Sequence, residues 1–165
     1  MDNPVPARGA SVELVEITAA NYREAFGLKV HPGQERFVAS NAVSIAQAHF
    51  HPEAWFRLVR AGGVPVGFAM LEDWGLCPGK APPDWRSEPY VALWRFMIDA
   101  RYQGLGFGQE ALRQLVAHAR GRPGARAMLL SFVEAPGSPE AFYRRLGFER
   151  TGEVAEGEQV MRLAF

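Results

Sequence analysis

The segment Gln103-Gly104-Leu105-Gly106-Phe107-Gly108 has the residue types most directly tied to chemistry. Three glycines at alternate positions let the chain turn tightly and leave backbone N–H groups that no side chain covers. Upstream lies the apolar run Val91–Ile98, ending at Asp99. Downstream, Phe107, Ala111, Leu112, Leu115, Val116 and Ala119 recur at helical spacing until Gly121-Arg122-Pro123-Gly124 interrupts them. The glycines therefore join a strand to a helix. Bare N–H groups beside the positive end of a helix dipole form a site for a phosphate or diphosphate.

Three readings of the glycines remain open at this point. Gly106-x-Gly108-x-x-Ala111, with Glu134 further on, fits a dinucleotide fingerprint. Against it, 165 residues are expected to form one domain, and the strand sits mid-chain after hairpin signals rather than opening a run of βαβ units. Gln103-x-x-Gly106-x-Gly108 gives a second phosphate loop, entering a lone helix. A left-handed turn that binds nothing is the third.

Composition narrows the partners. With 18 basic and 18 acidic side chains the net charge is zero, so nothing recruits nucleic acid or an anionic membrane. The excess is split mildly: residues 1–90 carry 10 acids and 8 bases, residues 91–165 carry 8 acids and 10 bases. The phosphate loop lies in the basic half. No apolar run approaches the roughly 20 residues of a membrane span. Residues 1–10 lack a signal-peptide pattern and read as a flexible leader, and Cys77 has no partner for a disulfide. No Cys/His cluster has metal-ligand spacing, so no metal is expected, and the expected compartment is the cytoplasm.

The elements that must hold the loop can be read around it. Val12–Ile17 alternates as a strand. Thr18 is expected to cap a helix over Ala19–Phe26, closed by Gly27. A second helix runs from Ser40 or Asn41 to Phe50, with Val43, Ala46 and Phe50 on one face. Trp55–Arg60 and Val64–Leu71 form a hairpin about Gly62-Gly63. Residues 72–89, rich in Pro and Gly, are too long for an ordinary structureless loop and are functional or partly disordered. Ala127–Val133 is a buried parallel strand, and Ser138 caps a short helix, Pro139–Leu146, that ends at Gly147. Phe148–Val154 and Gln159–Phe165 make a last hairpin. The fold class is α+β: a mixed, mostly antiparallel sheet with one parallel βαβ crossover and helices on both faces.

Two motifs give the chain a family resemblance. Gln103-x-x-Gly106-x-Gly108 resembles the (Arg/Gln)-x-x-Gly-x-(Gly/Ala) signature of the GNAT superfamily of N-acetyltransferases. Ala141-Phe142-Tyr143-Arg144-Arg145-Leu146-Gly147-Phe148 resembles that family's closing helix. The resemblance implies acetyl-CoA as co-substrate. Its pyrophosphate would be held by Gln103, Gly104, Leu105, Gly106, Phe107 and Gly108, and its pantetheine arm by the main chain of Phe96, Met97 and Ile98. A backbone N–H there would also hold the developing oxyanion. Tyr143 matches the family's general acid, which protonates the departing thiolate. The Asn that usually touches the pantetheine is absent, and Ser138 stands near its place.

A narrower resemblance is to bacterial diamine and spermine/spermidine N-acetyltransferases. Phe37–Ala48, Arg95–Asp99 and Glu153–Leu163 carry it. It implies a small-molecule amine acceptor, most specifically a polyamine. No Ser-His-Asp or Cys-His signature demands a covalent intermediate, and Cys77 lies in the Pro/Gly-rich loop, so the amine is expected to attack the thioester directly in a ternary complex. Glu35, Asn41, Gln47 and Glu72 are its candidate contacts, with Gln34, Ser40 and Ser44 beside them and Glu72 or Asp73 as candidate bases. Other acceptors compatible with the family are a protein N-terminus and an aminoglycoside, and a non-catalytic acyl-CoA sensor shares its loop. A homodimer is also compatible with the resemblance.

Overall fold

A computed structural model describes residues 5–165. Seven strands form one sheet: β1 (Val12–Glu16), β2 (Ala54–Ala61), β3 (Val64–Glu72), β4 (Tyr90–Ile98), β5 (Ala127–Phe132), β6 (Glu149–Ala155) and β7 (Glu158–Ala164). Their order is β1-β2-β3-β4-β5-β7-β6, and every neighbouring pair is antiparallel except β4 with β5. The β2–β3 hairpin turns on Gly62 and Gly63 at φ +54° and +81°, the two positive angles that a two-residue turn of matching twist requires. The fold expected from sequence is therefore present, parallel crossover included.

Five helices flank the sheet: α1 (Tyr22–Phe26), α2 (Asn41–Ala48), α3 (Pro83–Ser87), α4 (Phe107–Arg120) and α5 (Glu140–Arg145). Successive residues of β3 point to opposite faces. Ala69 and Leu71 meet Leu112 and Leu115 of α4 and Tyr143 of α5, whereas Phe68 and Met70 meet Ala25 of α1 and Ile45 of α2. Helix α4 buries Phe107, Ala111, Leu112, Leu115 and Ala119 along one stripe. Each large side chain among them is worth about 1.5–3 kcal/mol of burial. That burial fixes the direction in which the glycine loop points.

Several local expectations are corrected. Helix α1 begins at Tyr22 because Thr18 is used elsewhere: its N–H donates to Asn21 Oδ1 (2.7 Å) and its Oγ1 accepts from Ala20 N (3.2 Å), which holds a turn in place of the first helical residues. Ser40 does cap α2, accepting from Val43 N. The apolar face of α2 is the outer one, however: Val43 and Phe50 are 51% and 77% exposed, while Asn41 and Ser44 are buried. Those polar groups can go inside because Asn41 Nδ2 donates to Ala25 O (2.8 Å) and Ser44 Oγ to Ser40 O (3.1 Å). Residues 72–89 are ordered by helix α3 and two short 3-10 turns, Trp74–Leu76 and Pro78–Lys80.

The structure also uses the N-terminal segment. Within the expected leader, residues 1–4 lie outside the described residues. From there on, Ala10 N donates to Ala7 O and Arg8 Nη2 donates to Gly104 O at 3.1 Å.

Candidate active site

A cleft opens where two parallel strands part. Pairing of β4 with β5 runs from Tyr90↔Ala127 to Leu93↔Leu130 and stops there. At the same point the β3–β4 register jumps from Met70↔Arg95 to Leu71↔Leu93, so Trp94 is an extra residue bulged out of the ladder. A bulge sharpens the local twist and turns the strand away from its neighbour. Trp94 to Ile98, with the main chain of Phe96, Met97 and Ile98, thus faces β5 without pairing to it. The Phe96 ring stacks on Phe142 of α5 (6.2 Å, 20°), and Met97 is buried under α1 and α2. Ile98 O accepts from Gln103 Nε2 at 2.9 Å, which folds the glycine loop back onto the end of β4.

The glycine loop presents a row of free donors. Asp99 starts it, its carboxylate accepting from Lys29 N (2.9 Å) and Arg101 N (3.0 Å). Burial pushes the Asp99 carboxyl up, but its bonds to Arg101 and to these N–H groups outweigh that and hold it below its ordinary value. Gly104 and Gly106 adopt φ +75° and +92°, and Gly106 caps α4 with no side chain. No acceptor among the described residues meets the N–H groups of Gly104, Leu105, Gly106, Phe107 or Gly108. Open space lies where a Cβ on Gly104 or Gly106 would be. Gly108 differs: its Cβ would come within 3.2 Å of Ile98 and 3.7 Å of the Phe142 ring, so this glycine also lets α4 and α5 approach. Unmatched donors, a helix N-terminus and bare Cα atoms together fit a diphosphate.

Helix α5 carries the phenol. Gly147 at φ +91° ends it, with Phe148 N donating to Tyr143 O and Gly147 N to Arg144 O, a double closure of the last turn. Its start is not as expected. Ser138 N donates to Ala135 O in a tight turn, leaving Pro139 as the cap and Ser138 outside the helix, half-buried. Glu140 ties the first turn to β6 through Arg150 Nη2 (2.6 Å). Tyr143 is 8% exposed, its ring edge-on to Phe142 (5.3 Å) and Phe148 (6.0 Å). Burial raises its phenol well above the usual value, and its hydroxyl makes no hydrogen bond to the described residues. The phenol is thus held protonated and free to donate.

On the α1/α2 face the expected acceptor contacts are scattered. Glu35 is exposed, and Asn41 is committed to Ala25 O and to Met97 Sδ at 3.7 Å. Gln47 Oε1 accepts from Arg95 Nη2 at 3.4 Å. Gln34 pairs its amide reciprocally with that of Gln103 (2.8 and 3.2 Å), and Arg36 Nη2 donates to Pro136 O at 2.6 Å. The stretch 34–36 thus crosses from the end of β4 to the segment after β5, bridging the parted strands. Asp73 is buried in an ion pair with Arg122 at 2.5 Å and caps the 74–76 turn through Gly75 N.

Glu72 sits in a group the sequence did not reveal. Its Oε1 accepts from Trp74 Nε1 at 2.7 Å. Burial raises its carboxyl; the Trp74 bond opposes that, and Glu53 and Asp84 add to it. Glu53 is buried against His51 (2.7 Å), and the His51 ring packs edge-on to Trp94 (4.9 Å, 78°). Tyr90 OH donates to Asp84 Oδ2 at 3.1 Å. Glu72, opposite Ala92, and Glu53, through His51, thus lie by the Trp94 bulge at which the cleft opens, while Asp84 and Tyr90 stand at the start of β4, where it still pairs with β5. The pairs are close in sequence, but only the packing of His51 on Trp94 and the β3–β4 register bring them together, so no single local spacing signals the group. No set of three or more His, Cys, Asp or Glu side chains among the described residues could hold a metal ion, and no helix among them is long and apolar enough to cross a membrane.

Comparison with known proteins agrees with this geometry. Residues 14–148 match the model of the Acetyltransferase (GNAT) family. The chain is 31% identical, over 92% of its length and 97% of the relative's, to the spermine/spermidine N(1)-acetyltransferase of Bacillus subtilis strain 168. Its fold superposes on an acetyltransferase from Thermus thermophilus (TM-score 0.68, 18% identity, 94% and 97% of the chains covered). It also matches the PaiA N-acetyltransferase of Thermoplasma acidophilum in complex with coenzyme A (TM-score 0.65, 12% identity, 94% and 99% covered). A glycine loop rich in free N–H groups, parted parallel strands and a buried phenol on the closing helix are thus carried by a chain that belongs to the GNAT family of acetyltransferases.

Proposed function

We propose that the enzyme transfers the acetyl group of acetyl-CoA to a primary amine of a polyamine, such as spermidine or spermine, in the cytoplasm. Acetyl-CoA supplies a thioester. The amine nitrogen attacks its carbonyl carbon within a ternary complex, a C–N bond forms, the C–S bond breaks, and the amine gives up one proton. The side of Trp94–Ile98 that does not pair with β5 offers N–H groups to the carbonyl oxygen. Tyr143 gives its phenolic proton to the departing thiolate. A phenol raised by burial is a weaker acid than a thiol of pKa about 8.5, so this transfer is uphill by itself, and the phenolate regains its proton from solvent to close the cycle.

The observation that carries the acceptor class is the group of Glu53, Glu72 and Asp84 beside Trp74, Trp94 and Tyr90. Glu53 is buried and Glu72 half-buried, with the exposed Asp84 beyond them; carboxylates among aromatic faces favour a flexible polycation over a neutral or anionic acceptor. The Bacillus subtilis relative supports the same choice. Glu72, with its raised carboxyl, is the proposed proton acceptor from the amine. The test is a panel of spermidine, spermine, an N-terminal peptide and an aminoglycoside, read as coenzyme A release. Spermidine or spermine is expected to give the highest kcat/KM, and a higher value for the peptide would sink the polyamine reading.

A further inference from the structure

We infer that Arg8 is a phosphate-binding residue of the cofactor site, so that the segment before β1 forms one wall of it. The inference rests on acetyl-CoA as the co-substrate and adds a residue that neither the family motifs nor the glycine loop includes.

Arg8 lies 96 positions from Gly104 in sequence, yet its Nη2 donates to Gly104 O at 3.1 Å. Gly104 stands at the start of the loop's free N–H groups. The guanidinium is therefore held at the rim of the row of donors, on the solvent side. Its one described bond uses a single N–H, and the others remain available. Nearby cations are differently engaged: Arg101 is paired with Asp99, and Arg113 with Glu110. Among the described residues no carboxylate pairs with Arg8.

The turn that delivers it has a fixed geometry. Gly9 at φ +81° and the Ala10 N to Ala7 O bond reverse the chain just before β1. β1 in turn is fastened to α4, where Gln114 Nε2 donates to Val12 O at 2.9 Å. Coenzyme A brings a pyrophosphate and a ribose 3′-phosphate, whereas the loop's N–H groups neutralise none of that charge with a full positive one. A guanidinium is the group that does so with directed hydrogen bonds.

The test is calorimetric titration of coenzyme A and of 3′-dephospho-coenzyme A into the wild type, Arg8→Gln and Arg8→Lys, each at several salt concentrations. Arg8→Gln is expected to weaken coenzyme A roughly threefold to thirtyfold, with a shallower salt dependence, and Arg8→Lys to recover most of the loss. An equal loss for 3′-dephospho-coenzyme A assigns Arg8 to the pyrophosphate; a loss confined to coenzyme A assigns it to the 3′-phosphate. Arg8→Gln binding coenzyme A within twofold of wild type overturns the inference. So does Arg8→Lys being as weak as Arg8→Gln with an unchanged salt slope, because Arg8 then merely steadies the Gly104 carbonyl. A wild type that does not bind coenzyme A would instead sink the cofactor reading itself.

Discussion

Replacing Tyr143 by Phe isolates one oxygen atom. The ring is 8% exposed and meets Phe142 and Phe148 edge-on, contacts that Phe preserves. The hydroxyl bonds to none of the described residues, so its removal orphans no partner. Stability should therefore change by less than about 1 kcal/mol, in the stabilising direction if anything, because a desolvated polar group is lost. Coenzyme A affinity should be unchanged. Turnover should fall by roughly 10²–10⁴, or about 3–5.5 kcal/mol of transition-state stabilisation, the range of a lost general acid. Coenzyme A release at saturating amine gives kcat, a thermal melt gives stability, and a titration gives affinity. The loss should shrink for acyl donors whose thiols are more acidic and need less help to leave. Since burial raises the phenol, it stays protonated throughout the working range, and the wild-type rate should show no alkaline limb from Tyr143 below pH of about 10. A Tyr143→Phe enzyme within threefold of the wild-type kcat would make the residue a packing ring and refute the assignment.

Gly106→Ala should cost about 1–2 kcal/mol of stability, because φ +92° is strained for any L-residue, and should also weaken coenzyme A by placing a methyl over the donors; a denaturant melt and a titration read both, and unchanged affinity would remove the loop from the site. A β-branched residue there would mix strain with binding and is the poorer probe. Arg150 and then Arg144 hold the Glu140 carboxyl down from 4.5 to about 2, so the stability it contributes is present above pH 4.5 and is lost as pH falls to about 2. The stability gap between wild type and Glu140→Gln should therefore close over that interval in acid melts. Glu72 has the opposite sign: its carboxyl is raised, so its ionisation costs the folded state stability above its folded pKa. Glu72→Gln, which keeps an oxygen for Trp74, should melt no lower than wild type at pH 8 while lowering kcat and kcat/KM for spermidine; unchanged values of both would remove Glu72 as the proton acceptor.

Elements with strong local physics are legible in the sequence. The alternating strands, the Gly62-Gly63 turn, the helix behind the glycine loop and the Gly147 stop stand where residue spacing puts them. The α2 face misleads because apolar Val43 and Phe50 suggest an inward stripe, whereas Asn41 and Ser44 are buried once Ala25 O and Ser40 O satisfy them. Ser138 looks like a cap because of the Pro139 that follows; a turn one residue earlier takes the serine out of the helix. The cofactor side is readable because a short contiguous motif builds it. The group of Glu53, Glu72 and Asp84, the Gln34–Gln103 amide pair and the Arg8 contact are made by the fold's long-range register, to which local spacing is blind.

The parting of β4 from β5 has a consequence for the protein's own survival. Beyond Leu93, β4 carries an exposed edge in the middle of a sheet rather than at its rim. Such an edge is a template on which a foreign extended segment can pair, the first step of misassembly. On the proposed cofactor placement a pantetheine arm laid along it would close that opportunity, and a ligand at a hundred times its Kd adds about 2.7 kcal/mol to the folded state. Resistance to aggregation and proteolysis would then rise and fall with acetyl-CoA supply. Cells short of acetyl-CoA would lose the enzyme by turnover as well as by want of substrate.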